Sequence, residues 1–184
     1  MGTVRKFRQR FGVLIAPCIL SPGLQAEKKQ GEHWGYSFIK LVMEYGVDII
    51  PLPCPESSFE RFEAGLSRSK HGIDYYMSLD GYNEHCGLLA EQTEQMVLDM
   101  QRGGYNFICL LGVEHSPTCA VSYMYSRHGM LKRQGMFYEL LQNRLKMQDL
   151  EIPHIGINRT HPNKAFAALE KILFDNKVVN TEFY

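Results

Sequence analysis

Residues 107–113 read FICLLGV, a nearly unbroken apolar run, and residues 114–119 after them read EHSPTC. A strand buried on one face alternates apolar and polar residues, whereas a strand of a parallel sheet covered on both faces is apolar throughout. Three other short stretches have the same character: Val13–Ala16, Val47–Leu52 and His154–Asn158. Together with Phe107–Val113 they predict four buried parallel strands.

Helical patterns lie between these runs. Apolar residues recur at the spacing of a helix face within residues 38–45, 88–100, 137–145 and 166–173. Gly46 and Gly103 follow two of these stretches, and Pro162 suits the opening turn of the last. The alternation predicts an α/β fold, a single doubly wound domain of the Rossmann or flavodoxin-like kind with a mainly parallel four-stranded sheet. The flavodoxin-like strand order is 2-1-3-4.

Composition narrows the class of protein. The chain has 184 residues, a length that suits one domain spanning residues 1–184. Its 20 basic and 20 acidic residues balance, which disfavours nucleic acid as a partner. No apolar run approaches the roughly 20 residues of a membrane helix. Five cysteines, an odd number that is widely spread, indicate reduced thiols and a cytoplasmic location.

A secretion signal is the competing interpretation of the N-terminal region. Arg5, Lys6, Arg8 and Arg10 precede the apolar run 11–20, which has the outline of a signal peptide, and Cys18 would be its lipidation site. A proline directly before that cysteine suits lipidation poorly, and the run also makes sense as a first buried strand that ends in a turn. We therefore expect a strand here.

Two segments interrupt the alternation. Residues 57–83 and 120–134 are longer than ordinary connections and are rich in aromatic residues. Loops of this length either cover a functional site or are surface insertions, and the sequence leaves both open.

Three cysteines occupy equivalent places in the predicted sheet. Cys18, Cys54 and Cys119 each follow one of the first three strands. The carboxyl ends of parallel strands share one edge, where open α/β sheets bind ligands, so the three thiols are expected within about 10 Å of one another.

Three convergent thiolates favour a soft metal or an iron–sulfur cluster. A 4Fe-4S cluster held by three thiolates keeps one iron open for a substrate atom. Zinc is the main inorganic competitor, and three unrelated loop thiols remain an alternative. No GxGxxG or P-loop pattern supports tight dinucleotide or triphosphate binding.

The motifs around these cysteines resemble the thiouracil desulfurase family and its related desulfidases. The matching segments, which lie within residues 12–158, are Cys18-Ile19-Leu20, Pro53-Cys54-Pro55-Glu56 and Ser116-Pro117-Thr118-Cys119. The resemblance implies that Cys18, Cys54 and Cys119 hold a 4Fe-4S cluster. It also implies removal of sulfur, without net redox change, from a small thiolated, thiouracil-like substrate.

The chain departs from that family in two places. The family has an Arg-Tyr-Asp-Gly-like stretch after the first cysteine, where residues 21–26 here read SPGLQA. The glycine that usually follows the third cysteine is Ala120. Both changes lie where a substrate would be recognised, so the resemblance implies a thiouracil-like class of substrate and leaves the individual substrate open.

Three residues are candidates for acid–base chemistry beside the cluster. Glu56 is a general base for water, or else a carboxylate that caps a helix N-terminus. Ser116 binds substrate or cluster sulfide, or else forms a Ser-Pro turn. His115 shuttles protons beside the cluster, or is a histidine satisfied by backbone. Glu114 lies on the same edge.

The two remaining cysteines are expected to be uninvolved. Cys109 lies inside a predicted buried strand and is expected to be a small hydrophobe. Cys86 lies near a helix start that could lower its pKa, but an unreactive surface thiol is the expectation. Two alternatives to the desulfidase stay open: a metal-free Rossmann-like hydrolase or transferase acting on a nucleoside-type ligand, and a non-catalytic sulfur or metal carrier or sensor.

Overall fold

The computed structural model of the protein describes residues 10–21, 24, 34–59 and 72–176. Its strands are β1 (Arg10–Ile15), β2 (Asp48–Pro51), β3 (Tyr105–Val113), β4 (Met124–Ser126), β5 (Gly129–Leu131) and β6 (His154–Ile157). Its helices are α1 (Pro17–Leu20), α2 (Tyr36–Glu44), α3 (Pro55–Ser58), α4 (Ile73–Ser78), α5 (Tyr82–Arg102), α6 (Met136–Met147) and α7 (Asn163–Asp175).

Four strands form one parallel sheet in the order β2-β1-β3-β6. β1 lies beside both β2 and β3, and Leu14 is paired with Ile50 on one side and with Leu110 on the other. β6 joins the far edge of β3, with Leu111 opposite Ile155. The predicted α/β class and the predicted 2-1-3-4 strand order are confirmed.

Helices cover both faces of this sheet. Val13 and Ile15 point to one face, where they share a core with α2 and α7. Leu14 points to the other face, where it packs with residues of α5 and α6. All three strand residues are fully buried. Burial on both faces is the reason that the strands are apolar throughout rather than alternating.

Element boundaries agree closely with the sequence pattern, with one large difference. α5 begins at Tyr82, well before the first predicted apolar position at Leu88, because its first turns bury Tyr82 and Cys86 against the core. Gly46 and Gly104 follow α2 and α5 with φ of 64° and 91°. Glycine adopts this left-handed backbone without steric cost, which suits it to these helix ends.

The two long segments are not simple loops, which corrects the prediction for them. Segment 57–83 contains the end of α3, all of α4 and the start of α5, and its residues 60–71 lie outside the described residues. Segment 120–134 contains the antiparallel hairpin β4–β5. Elements of three to six residues are too short to show a hydrophobic period, so the sequence pattern missed them.

The apolar run after the N-terminal basic residues forms β1, an inner strand of the sheet. Among the helices of the described part of the chain, none combines the length and the apolar character that crossing a membrane requires.

Candidate functional site

The carboxyl ends of β1, β2 and β3 border one cavity of about 950 Å³, and three cysteines lie in its wall. Cys18 is in α1, which follows β1 after one residue, and Cys54 immediately precedes α3 after β2. Cys119 lies in the turn that follows β3. All three thiols are partly buried and none is in a disulfide. The parallel sheet thus brings the three predicted ligands to one cavity.

The loop that carries Cys119 folds back tightly over β3. The backbone oxygen of Cys119 accepts the Val113 N–H at 3.2 Å. A Cβ at Gly112 would lie 2.5 Å from that same oxygen and 2.7 Å from Cε1 of Tyr138. Glycine at 112 is therefore what permits this close approach of the loop to the strand.

Helix α6 fastens the same loop from outside. The first N–H groups of a helix have no partner within the helix. Here the N–H groups of Met136 and Phe137 donate to the carbonyls of Pro117 and Thr118, at 2.9 and 3.1 Å. The loop before Cys119 therefore acts as the N-terminal cap of α6, and the helix in turn holds the loop in place.

The thiols of Cys18 and Cys119 interact directly. A hydrogen bond from the Cys18 thiol, together with the nearby Ser116 hydroxyl, lowers the pKa of Cys119 despite its burial. The same contact with Cys119, followed by burial, raises the pKa of Cys18 well above its ordinary value. Burial and the charge of Glu56 raise the pKa of Cys54. Cys119 therefore ionises first, and a soft metal must displace protons from the other two thiols.

Glu56 lies in the first turn of α3, lines the cavity and is held by two hydroxyl groups. Its Oε2 accepts the phenolic O–H of Tyr76 at 3.2 Å, and its Oε1 accepts the hydroxyl of Thr118. Tyr76 is fully buried and Thr118 is 2% exposed. Each oxygen of the Glu56 carboxyl group therefore accepts one hydroxyl, and the two donors come from different elements.

Ser116 is tied to the geometry of the Cys119 loop. Its Oγ accepts the backbone N–H groups of Thr118 and Cys119, each at 3.2 Å. The same oxygen lies 3.2 Å from Cys119 Sγ. The Cys119 thiol is the donor of this contact, so the Ser116 oxygen accepts the sulfur proton as well as the two N–H groups. The structure thus shows the turn that the Ser-Pro pattern predicts and also a contact with a candidate ligand.

His115 and Glu114 differ in what surrounds them. His115 lines the cavity, its ring centre is 5.0 Å from that of Tyr125, and its backbone has a φ of 70°. Glu114 Oε2 accepts the backbone N–H groups of Ser122 and Tyr123 at 3.1 and 3.0 Å. Glu114 therefore organises the loop after β3, while the imidazole of His115 stands at the cavity wall.

The structure separates Cys86 and Cys109 from the cavity wall. Cys109 is buried in the core between the sheet and its helices, and burial raises its pKa to about 12. Cys86 is fully buried as well, and burial raises its pKa to about 12. The expected surface position of Cys86, and a pKa lowered by the helix end, are therefore wrong. The reason is that Cys86 lies one turn inside α5, on the face that packs against the sheet.

Other residues of the cavity wall carry no sequence motif. Tyr75 and Asp74 of α4 line the cavity with Tyr125 and Arg127 from the hairpin. Asp74 Oδ2 accepts the backbone N–H of Arg127 at 2.7 Å, and this bond lowers the Asp74 pKa. The partners of Glu56, Tyr76 and Thr118, are not predictable from any motif in the sequence. The available signal was the position of Thr118 next to Cys119.

The donor chemistry of the cavity fits an iron–sulfur cluster. Three thiols from adjacent strand ends face one space, and thiolates are the ligands that such clusters take. Within the described ranges, no group of three or more Cys, His, Asp or Glu residues has the arrangement of a metal-ion site.

Comparisons of this chain with protein-family models, with curated proteins and with solved structures found no match.

Proposed function

We propose that this protein is an iron–sulfur-dependent desulfidase, which removes sulfur from a small thiolated compound and releases it as sulfide. One observation carries the proposal: the thiols of Cys18, Cys54 and Cys119 line the same cavity as Glu56 and Ser116. The motif resemblance of the same residues to thiouracil desulfurases supports it.

Three thiolates would hold the cofactor. Cys18, Cys54 and Cys119 would each bind one iron of a 4Fe-4S cluster after losing their protons. When bound, such a cluster supplies an open iron, a Lewis acid with affinity for sulfur. The Cys119 loop is preorganised for this task, because Ser116 and the first turn of α6 fasten it.

The net reaction exchanges sulfur for oxygen and transfers no electrons. The oxygen of water bonds to the thiocarbonyl carbon, the carbon–sulfur bond breaks, and the sulfur leaves as hydrogen sulfide with both protons of the water. Glu56 is the group that takes the first of these protons, since its carboxylate lines the cavity beside the thiols. His115 at the cavity wall would relay protons, and the Ser116 hydroxyl would hydrogen-bond the substrate or a cluster sulfide.

The experiment that tests the proposal is anaerobic reconstitution with iron and sulfide. We expect about four irons per chain and sulfide release from thiolated heterocycles. Alanine at position 18, 54 or 119 abolishes the iron–sulfur absorption, whereas the matched control Cys109→Ala retains it. Zinc bound without iron would favour a carrier or sensor. A metal-free chain that turns over a nucleoside-type ligand would favour a hydrolase or transferase.

A further inference from the structure

We propose that Thr118 and Tyr76 are positioning residues, which hold the carboxylate of Glu56 in the orientation that takes a proton from water. This inference rests on the proposed function, because the task of Glu56 belongs to that reaction. The geometry behind it, one hydroxyl on each carboxylate oxygen, is independent of any cofactor.

The bond from Thr118 joins two parts of the site that are distant in sequence. Thr118 is on the loop after β3, directly before Cys119, and Glu56 is on α3, two residues after Cys54. Thr118 is almost fully buried, so no bulk water competes for its hydroxyl. The orientation of Glu56 is therefore coupled to the loop that presents Cys119.

The bond from Tyr76 reaches Glu56 from a third element, α4. The phenol ring is fully buried in the core formed with α5 and packs edge-on against Tyr75, with ring centres 5.5 Å apart. Asp74, two residues before Tyr76 in the same helix, is hydrogen-bonded to the hairpin at Arg127. From this buried position the phenolic O–H of Tyr76 donates to Glu56.

Two donors determine an orientation that one donor leaves free. With a hydroxyl on each oxygen, any rotation of the carboxylate plane breaks both bonds at once. Glu56 also lines the cavity, where the reacting water would lie. A group that takes a proton must lie within hydrogen-bond reach of it, and rotational freedom removes that alignment.

Kinetics with isosteric variants test the role. Thr118→Val removes the hydroxyl and keeps the shape, and we expect kcat to fall about 10- to 100-fold with little change in KM. Thr118→Ser keeps the hydroxyl and restores kcat to within about threefold of wild type. The matched control is Thr93→Val, since Thr93 is about as buried as Thr118 and its hydroxyl donates to the Leu89 carbonyl of its own helix.

The tyrosine has its own matched control. We expect Tyr76→Phe to lower kcat about tenfold, as a lost hydrogen bond to a charged acceptor predicts. Tyr105→Phe removes a tyrosine-to-carboxylate bond, from Tyr105 to Asp48 at 2.9 Å, at the amino ends of β3 and β2 and away from the cavity, and leaves kcat unchanged.

A double-mutant cycle decides whether Thr118 acts through Glu56. In a Glu56→Gln background, Thr118→Val should change kcat by less than about twofold. The same cycle is run on the stability of the metal-free full chain in urea, where Thr118→Val should shift the midpoint more in wild type than in Glu56→Gln. Additive effects in both cycles overturn the inference. Coupling in urea, with no sulfide release by wild type, overturns the proposed function and leaves the coupling of these side chains standing.

Discussion

Replacing Gly135 by alanine should disturb the site through a backbone contact alone. Gly135 is buried at the start of α6, with φ −65° and ψ 149°, an extended backbone that any residue adopts. An added Cβ would lie 2.5 Å from the nitrogen of Cys119 and 2.6 Å from the oxygen of Thr118. Ordinary contact begins at 3.4 Å, so the Cys119 loop has to move by about 0.9 Å.

The size of the effect follows from which atoms must move. Adding a methyl group to a well-packed site costs about 1–3 kcal/mol. We expect the upper end, about 3 kcal/mol, because backbone atoms move and they accept the first hydrogen bonds of α6. For a chain of this length that loss lowers the melting temperature by about 6–12 °C. The displaced Cys119 should also lower the iron bound per chain after reconstitution.

Gly87 offers the matched control. It lies within α5, and a Cβ there meets nothing within 4 Å. Gly87→Ala should therefore raise the free energy of unfolding by about 0.5–1 kcal/mol through helix propensity. Urea and thermal unfolding followed by circular dichroism measure both variants. Equal stability of Gly135→Ala and wild type would refute the close packing of α6 on the Cys119 loop.

Three further outcomes are expected. Glu56→Gln keeps the iron content and slows sulfide release by about 10²–10⁴, and undiminished turnover would remove Glu56 from the mechanism. Tyr138→Phe removes the 2.7 Å hydrogen bond from the tyrosine hydroxyl to the buried Leu111 carbonyl. It should lower the free energy of unfolding in urea by about 1 kcal/mol, and an unchanged urea midpoint would contradict this bond. Cys86 and Cys109 resist iodoacetamide in the native chain at pH 8, as mass spectrometry would show, because burial raises the pKa of each from 9.0 to about 12. Full alkylation of the native chain would refute the burial of these two thiols. Because the folded state holds both thiol protons more tightly than the unfolded state, the contribution of the two thiols to the free energy of unfolding is complete below about pH 9 and declines as pH rises towards 12.

The architecture is predictable because the burial of a strand or helix determines which of its positions are apolar, and that pattern is visible in the local sequence. A strand such as β3, covered on both faces, has to be apolar at every position, and a helix such as α7 has to be apolar on one side. Strand order followed from the general habits of α/β folds rather than from any residue pair. The short elements α4, β4 and β5 have too few residues to show such a pattern, so the sequence predicts loops there.

Cys86 shows where local pattern misleads. Its place near a helix start suggested an exposed thiol, yet the side chain is fully buried. The boundary of α5 was misplaced, and exposure depends on which face of the helix meets the sheet. That face is set by packing with other elements, which no window of the sequence contains.

The sequence alone determines the fold class and the strand order. It also predicts that three cysteines meet at one sheet edge, because parallel strands place their carboxyl ends together; these are Cys18, Cys54 and Cys119. The direction in which each thiol pKa is shifted, and the orientation of the Glu56 carboxylate, are decided only by the tertiary structure. Hydrogen bonds act over about 3 Å, and the donors to Glu56 come from α4 and from the loop after β3. The docking of those elements on one another decides such distances, and their sequence positions do not.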